Sequence, residues 1–381
     1  MRILILLNSR YPTHKAYGIQ VETVARGFAE EGAEIGIAYP RRSHEAPTPL
    51  PGIQYFPFGP FLVLHFPRLF NVLRLIGMVG VGVVLRSFQP DVVITNDPVQ
   101  AAFLPSPWRV IWDLHDVPDP KRFTRRWLVR RIMKRASGII STNDLKITRL
   151  KKFVTHLPPI ITLPNPITFD PQVYRAIDRR VARQQLRIVE DECAVVYAGQ
   201  LYDWKGVDTL IQAAKFLHDD KMTIHIIGGQ GQDLMRCQKL AERLPEPHTS
   251  VIFHGLKSPS EIPYWLRAAD VVVIPNSGKF RVSVEDTNPL KLYEALAAGA
   301  ATVVSDLPSI REVLKGYDDA VAWSLPDDPA MLAQKIKELY EDPERVDELR
   351  ERSQQIPLLR GDERAKRVMQ FFHHLPPCSP G

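Results

Sequence analysis

The apolar residues of this chain change period again and again, and that rhythm limits its fold more than any other feature. Short β-branched runs recur at Ile3–Leu7, Glu34–Ala38, Asp91–Thr95, Val110–Leu114, Gly138–Thr142 and Ile160–Leu163. Between most of them lie stretches of helical length and period, such as Ile19–Glu31 and Phe70–Phe88. Strands alternating with helices predict βαβ units and a parallel sheet. The Pro-rich stretch PNPITFDPQVY then reads as a linker. A second series follows, with strands at Ala194–Tyr197, Thr223–Ile227, Ser250–Phe253, Asp270–Ile274, Ala301–Ser305 and Ala320–Trp323. Helices are expected at Val207–Leu217, Asp233–Leu244, Glu261–Ala268, Leu290–Ala298 and Ala330–Tyr340. The fold class is therefore α/β, with two Rossmann-like, doubly wound domains meeting near residue 170. A last helix, Gly361–His374, precedes a loose tail, LPPCSPG.

Composition supports this and narrows little else. The 381 residues are 45% hydrophobic and 24% charged, which excludes a disordered chain, a collagen-like fibre and a small disulfide scaffold. Lys and Arg exceed Asp and Glu by 49 to 43. A surplus of that size suits anionic ligands, a membrane surface or nucleic acid alike. Cys193, Cys237 and Cys378 are too scattered for a disulfide framework or a thiolate metal site, so a reducing cytoplasm is expected. The opening MRILILLNSR holds too short an apolar stretch for a secretory segment. Leu75–Leu85 falls short of the ~20 residues that span a hydrocarbon core, and reads as a buried helix. No integral membrane span is expected.

Ligands of open parallel sheets bind beyond the carboxyl ends of the strands, so the loops there carry the candidate chemistry. The most informative is DTNPLKLYEALAAG, residues 286–299. Asn288 suits an N-cap, Pro289 the first helical position and Gly299 the C′ position. The N–H groups of Leu290 and Lys291 would then face outward at the positive end of the helix dipole, an anion site fit for a phosphate. Lys291 and Glu294 share a face, and Asp286 lies just ahead. A nucleotide-sugar could be gripped with its sugar at Asp286, its phosphates at the helix end and its ribose at Glu294. The same pattern also serves a capped surface helix with a solvated Lys–Glu pair.

In YAGQLYDWKGVDTLI, Lys205 would stand at the sheet's carboxyl edge as a point charge for a diphosphate, ahead of a helix capped by Asp208. A solvated loop lysine is the alternative. IIGGQGQD, with Gly229, resembles a phosphate loop but lacks the spacing of a dinucleotide or Walker motif. Gly18, between the first strand and the helix Ile19–Glu31, would permit close backbone approach to a ligand. His115 closes the strand VIWDLH beside Asp113 and Asp116. A metal pair is conceivable there, a structural histidine the plainer alternative. KRFTRRWLVRRIMKRAS, residues 121–137, is basic throughout. Val129, Ile132, Met133 and Ala136 fall on one core-facing stripe. The rest suits anionic lipid headgroups or plain solvation. No nucleic-acid module is recognisable, and no nucleic-acid partner is expected.

From MRILILLNSRYPTHKAYGIQ to SDLPSIREVL the chain resembles the family 4 glycosyltransferases of GT-B fold, through LHD at 114–116, GQLYDWKG, IIGGQG and NPLKLYEALAAG, which stand in the family's order. The resemblance implies an acceptor-side domain over 1–168 and a nucleotide-sugar domain over 169–358, facing a central cleft. It also implies a helix over 359–374 crossing back to the first domain, with 375–381 as a flexible tail. The family's acidic pair separated by seven residues is matched by Asp286 and Glu294, Asp standing where Glu is usual. This implies Asp286 near the donor hexose and Glu294 on the ribose. Lys205 matches the diphosphate lysine, while Gln200 stands where the family has an arginine. His115 matches the active-site histidine, and Gly18 the glycine loop facing the donor. Gly255 and Leu256 match the stretch bordering the base.

The activity so implied is retaining transfer of a hexose-type sugar from a UDP- or GDP-sugar to a lipid-linked or polysaccharide acceptor. No metal or other cofactor is required, and the leaving diphosphate is stabilised by Lys205 and the helix N-terminus. The expected location is cytoplasmic, peripheral to the inner membrane face through Lys121–Arg135. Two other readings stand beside it: a nucleotide-sugar 2-epimerase, and a GT-B binding or scaffold protein with impaired catalysis. Neither the sugar, the acceptor, the linkage nor the oligomeric state is written in these motifs.

Overall fold

A computed structural model describes residues 1–9, 11–13, 16–41, 46–59, 70–118 and 123–376, with the side chains of Ala16 and 70–78 left aside. The chain divides into two compact units, Met1–Thr168 with Leu359–Gly381, and Phe169–Leu358. In the first unit β1 (Arg2–Leu6), β2 (Glu34–Pro40), β3 (Ile53–Phe58), β4 (Val92–Thr95), β5 (Arg109–Leu114), β6 (Gly138–Ser141) and β7 (Ile160–Thr162) form one sheet in the order 3-2-1-4-5-6-7. In the second, β8 (Cys193–Ala198), β9 (Met222–Ile227), β10 (Ser250–Gly255), β11 (Val271–Ile274), β12 (Thr302–Ser305) and β13 (Ala322–Ser324) take the order 10-9-8-11-12-13. The paired strands are parallel throughout both sheets, so each sheet has one edge where all carboxyl ends gather. The strand order reverses between β1 and β4 and again between β8 and β11, the two places where such sheets open a crevice.

Both faces of each sheet are buried, which is why the strands read as near-continuous apolar runs. Leu4 and Leu6 point into one core of the first unit, Ile3 and Ile5 into the other. In the second unit Val195 and Tyr197 face one core, Ala194 and Val196 the opposite one.

The strand β3 escapes the sequence reading, which leaves this region as loop. Pro57 cannot donate to a ladder, and its segment is accordingly an edge strand with a neighbour on one side, β2. The linker reading also needs correction. Asp170 accepts from the Gln172 N–H and starts a helix at Pro171–Ala176, so part of PNPITFDPQVY is regular structure.

The last helix, Gly361–His373, belongs to the first unit. Ala365, Val368 and Phe372, at helical spacing, are buried in the same core as Val21, Ala25 and Phe28, and the rings of Phe28 and Phe372 stack with centroids 6.3 Å apart. Gly27 lets this helix come close: a Cβ there would lie 2.3 Å from the Gly361 carbonyl oxygen. No described helix is long and apolar enough to cross a membrane. Cys378 and the end of the tail lie outside the described residues.

Candidate active site

In the second unit the loops after β8 and β11 meet at the reversal point. The chain leaves β8 through Gly199 and Gln200, makes a 3-10 turn at Asp203–Lys205 and enters the helix Val207–Leu217 through Gly206 at φ +68°. A Cβ on Gly206 would lie 1.8 Å from the carbonyl oxygen of Pro275, just past β11. The Ser277 N–H donates to the Trp204 carbonyl at 3.1 Å, so the two loops are fastened together. The glycines of IIGGQG serve the same close packing. A Cβ on Gly228 would fall 2.1 Å from the Gly199 carbonyl oxygen, and one on Gly229 would fall 2.3 Å from the Leu201 side chain.

Lys205, half-buried, lies 3.9 Å from the centroid of the Trp204 ring, and burial lowers its ammonium to about 8. Lys291 donates to the Tyr197 hydroxyl at 3.2 Å and sits 4.3 Å from that ring's centroid. Burial first, then repulsion from Lys205, holds Lys291 well below the ordinary lysine range. The Tyr197 hydroxyl in turn donates to the Gln200 carbonyl at 2.6 Å, while Gln200 itself is exposed. Two poorly solvated ammonium groups thus crowd one sheet edge, beside the helix Leu290–Ala297.

That helix starts one residue later than the capping pattern suggests. Pro289 is extended (φ −78°, ψ 111°) and takes the cap position without a side-chain bond. Asn288 is not the cap: its Oδ1 accepts from the Tyr293 hydroxyl at 3.2 Å. The N–H groups of Leu290 and Lys291 still open the helix. At the other end Gly299, at φ +62°, closes a Schellman motif, with the Ala300 N–H donating to the Ala295 carbonyl at 3.1 Å. Asp208 is likewise not a cap. Gly206 holds that place, and both carboxylate oxygens of Asp208 accept from Arg236 Nη1 at 2.5 Å.

Asp286 ends a π-helical turn, Val282–Asp286, and is buried with its Oδ2 accepting from Arg281 at 2.7 Å. Neither the turn nor Arg281 was expected. Asn276 is a second omission. It follows β11, is fully buried, and neither atom of its amide has a partner among the described residues. Gly255, at φ +63°, ends β10, whose register slips at His254, and the exposed Leu256 follows it.

Burial pushes the Glu294 carboxyl up to about 7, against the pull of Lys291. Between 4.5 and about 7 the folded chain keeps a proton that the unfolded chain has released, so stability falls as pH rises through that window. Glu294→Gln, neutral throughout, is expected to flatten this slope. It should gain on the order of 2–3 kcal/mol over the parent above pH 7 and little in acid. Urea titrations on either side of the window check this.

In the first unit His115 lies just past β5, exposed, with its Nε2 2.9 Å from Asp113 Oδ2. Burial would raise the Asp113 carboxyl, but His115, Arg364 and Lys146 outweigh it and hold it below the usual range. Asp113 and His115 line a small recess with Tyr17, Gln20, Asn96 and Arg364. Among the described residues no three His, Cys, Asp or Glu side chains gather as a metal site. Gly18 is not in a loop. The helix runs Ala16–Glu30, and a Cβ on Gly18 would lie 2.2 Å from the Thr13 carbonyl oxygen, so the close approach is made by the chain itself.

The basic helix spans Phe123–Arg135 and buries Val129 and Ile132, while Phe123 and Trp127 are exposed. Arg135 donates to the carbonyls of Leu104, Pro105 and Trp108 and is bound into the unit. Lys121 and Arg122 lie outside the described residues.

The family model Glycosyltransferase Family 4 matches residues 18–171, and Glycosyl transferases group 1 matches 178–356. The lipopolysaccharide 1,2-N-acetylglucosaminetransferase of Salmonella typhimurium is 29% identical over 187 residues, 46% of this chain and 48% of that protein. The chain spans about half the length of the curated relatives it matches. Sucrose-phosphate synthase from Thermosynechococcus elongatus superposes with a TM-score of 0.77 at 18% identity, covering 97% of this chain and 98% of that one. Anabaena HepE in complex with UDP and glucose gives 0.74 at 18% identity, with 97% and 99% covered. The likeness to these two is one of fold.

Proposed function

Because this chain belongs to the family 4 glycosyltransferases of GT-B fold, we propose that it moves a hexose-type sugar from a nucleotide-sugar to a lipid-linked or polysaccharide acceptor with retention of configuration. The observation that carries this is the crowding of Lys205 and Lys291 at the carboxyl edge of one sheet, beside a helix N-terminus. Two ammonium groups held out of water, with oriented N–H dipoles, are made for a polyanion whose charge grows as its bond to the sugar breaks. Lys291 supplies the second cation that the neutral Gln200 does not. The HepE complex with UDP supports a nucleoside diphosphate in this role.

In the reaction the bond from the anomeric carbon to the diphosphate breaks, and the leaving oxygens are stabilised by Lys205 and by the N–H groups of Leu290 and Lys291. The acceptor hydroxyl forms the new bond on the same face, and its proton passes to a phosphate oxygen. Glu294 accepts from the ribose hydroxyls, and Asp286, steadied by Arg281, accepts from the hexose. Gly255 and Leu256 border the base. His115, oriented by Asp113, serves the first unit's recess. No metal takes part in this scheme. The exposed Phe123 and Trp127, on a helix of arginines, would rest on an anionic membrane surface. Sedimentation with vesicles is expected to rise with anionic lipid content, and equal binding to neutral vesicles refutes that contact.

The transfer reading is tested by thermal shift against UDP- and GDP-sugars, because a ligand of the native state raises apparent stability. The matching donor should raise Tm and be consumed when acceptor is supplied. Absence of any shift and of any consumption overturns the proposal.

A further inference from the structure

The second unit carries another cationic concavity, at the opposite edge of its sheet. A recess of about 160 Å³ lies where the chain enters β11 and β12, and Arg179, Arg267 and Arg350 line it together with Gln354, Gly299 and apolar residues. No carboxylate is among its lining residues. The three guanidiniums arrive from distant parts of the sequence. Arg179 opens the helix Arg179–Leu186, Arg267 stands in the last turn of Ile262–Ala268, and Arg350 lies within Pro343–Gln355.

Their own partners leave the cluster positively charged. Asp270 serves two arginines at once, pairing with Arg179 and, at 3.1 Å, with Arg183. Arg267 donates to the carbonyls of Ile177 and Ala298, neutral acceptors that cancel no charge. Arg350 is paired at 3.1 Å with Asp347, which is 76% exposed and so weakly compensating. The buried Nε of Arg179 has no hydrogen-bond partner among the described residues. Burial first, with repulsion from Arg350, lowers both the Arg179 and Arg267 guanidiniums, against the pull of Asp270 on the one and Asp178 on the other.

We propose that this recess is a second oxyanion site, taking phosphate or diphosphate, free or as the end group of a small metabolite. Guanidinium forks match phosphate oxygens two by two, and three converging forks suit a multiply charged tetrahedral group better than a carboxylate. The site is distinct from the donor edge. Lys291 is in the first turn of the helix Leu290–Ala297, and the recess meets its far end, about 12 Å away at 1.5 Å per residue. Binding here therefore grips the same helix from its other end.

The test titrates the full chain with inorganic pyrophosphate at constant ionic strength, by calorimetry and by thermal shift. Lys205→Ala combined with Lys291→Ala removes both ammonium groups of the donor edge and isolates the recess. Pyrophosphate should still bind this variant, and adding Arg350→Ala should weaken binding at least tenfold. Arg350→Glu should abolish it. Arg350 is chosen because its one ion pair is at the surface, whereas Arg267 holds two backbone carbonyls and its loss could unfold the chain. A circular dichroism melt confirms that the Arg350 variants fold. If pyrophosphate fails to bind the variant lacking Lys205 and Lys291, or binds it equally with and without Arg350, the second site is refuted. Either outcome leaves the transfer reading to its own test.

Discussion

Lys205→Ala is expected to lower kcat/KM for sugar transfer by 10²–10³-fold, the usual cost of removing one preorganised group that faces developing negative charge. The loss should exceed any loss of donor binding, since the charge on the leaving diphosphate grows toward the transition state. The pH dependence gives an independent signature. Burial brings Lys205 down to about 8, and only its protonated form helps the leaving group. The parent kcat/KM should therefore fall as pH rises through about 8, and the variant should lack that limb. The variant should fold at least as well as the parent near neutral pH. A lysine lowered in the folded state binds fewer protons there than when unfolded, so it opposes folding below its unfolded value. Unchanged turnover in a well-folded variant would remove Lys205 from the mechanism.

Gly206→Val is expected to damage stability and activity together. The φ of +68° strains any β-branched residue, and the added Cβ would stand 1.8 Å from a backbone oxygen that cannot rotate away. The loops after β8 and β11 would have to part, at about 3 kcal/mol or more. Lys205, the neighbouring residue, would lose its placement. Chemical denaturation and turnover measure the two effects. A variant as stable and active as the parent would show that the loops are not fastened there.

The alternation of period was enough to lay out both sheets, because parallel strands buried on two faces leave apolar runs that helices do not imitate. It failed at Ile53–Phe58, where an edge strand tolerates Pro57 and loses its apolar continuity. Lys205, Lys291 and Glu294 were legible because the loop-to-helix transitions that hold them have local signatures. Arg236 was not, since it matters through a carboxylate chosen by the tertiary fold, and Arg281 was not, since it reaches Asp286 only across an irregular turn. Asn288 and Asp208 misled for a related reason. A cap residue and a residue that bonds sideways look alike until the helix start is known. The π-helical turn at Val282–Asp286 has no sequence period of its own to announce it. Nor could any motif join Arg179, Arg267 and Arg350, which only the packing of three helices brings together.

The first unit is assembled from both ends of the chain, and that dictates an order of events during synthesis. Residues 169–358 leave the ribosome before the helix Gly361–His373 exists, a delay of roughly 10–40 s at 5–20 residues per second. Through that interval Val21, Ala25 and Phe28 wait without Val368 and Phe372, as an apolar strip on a nascent half-domain. The second unit can finish folding while still tethered; the first, begun earlier, is completed later. Its longest-lived nascent intermediate is therefore the one with the helix seat open, and that seat is where a cellular chaperone would find this chain.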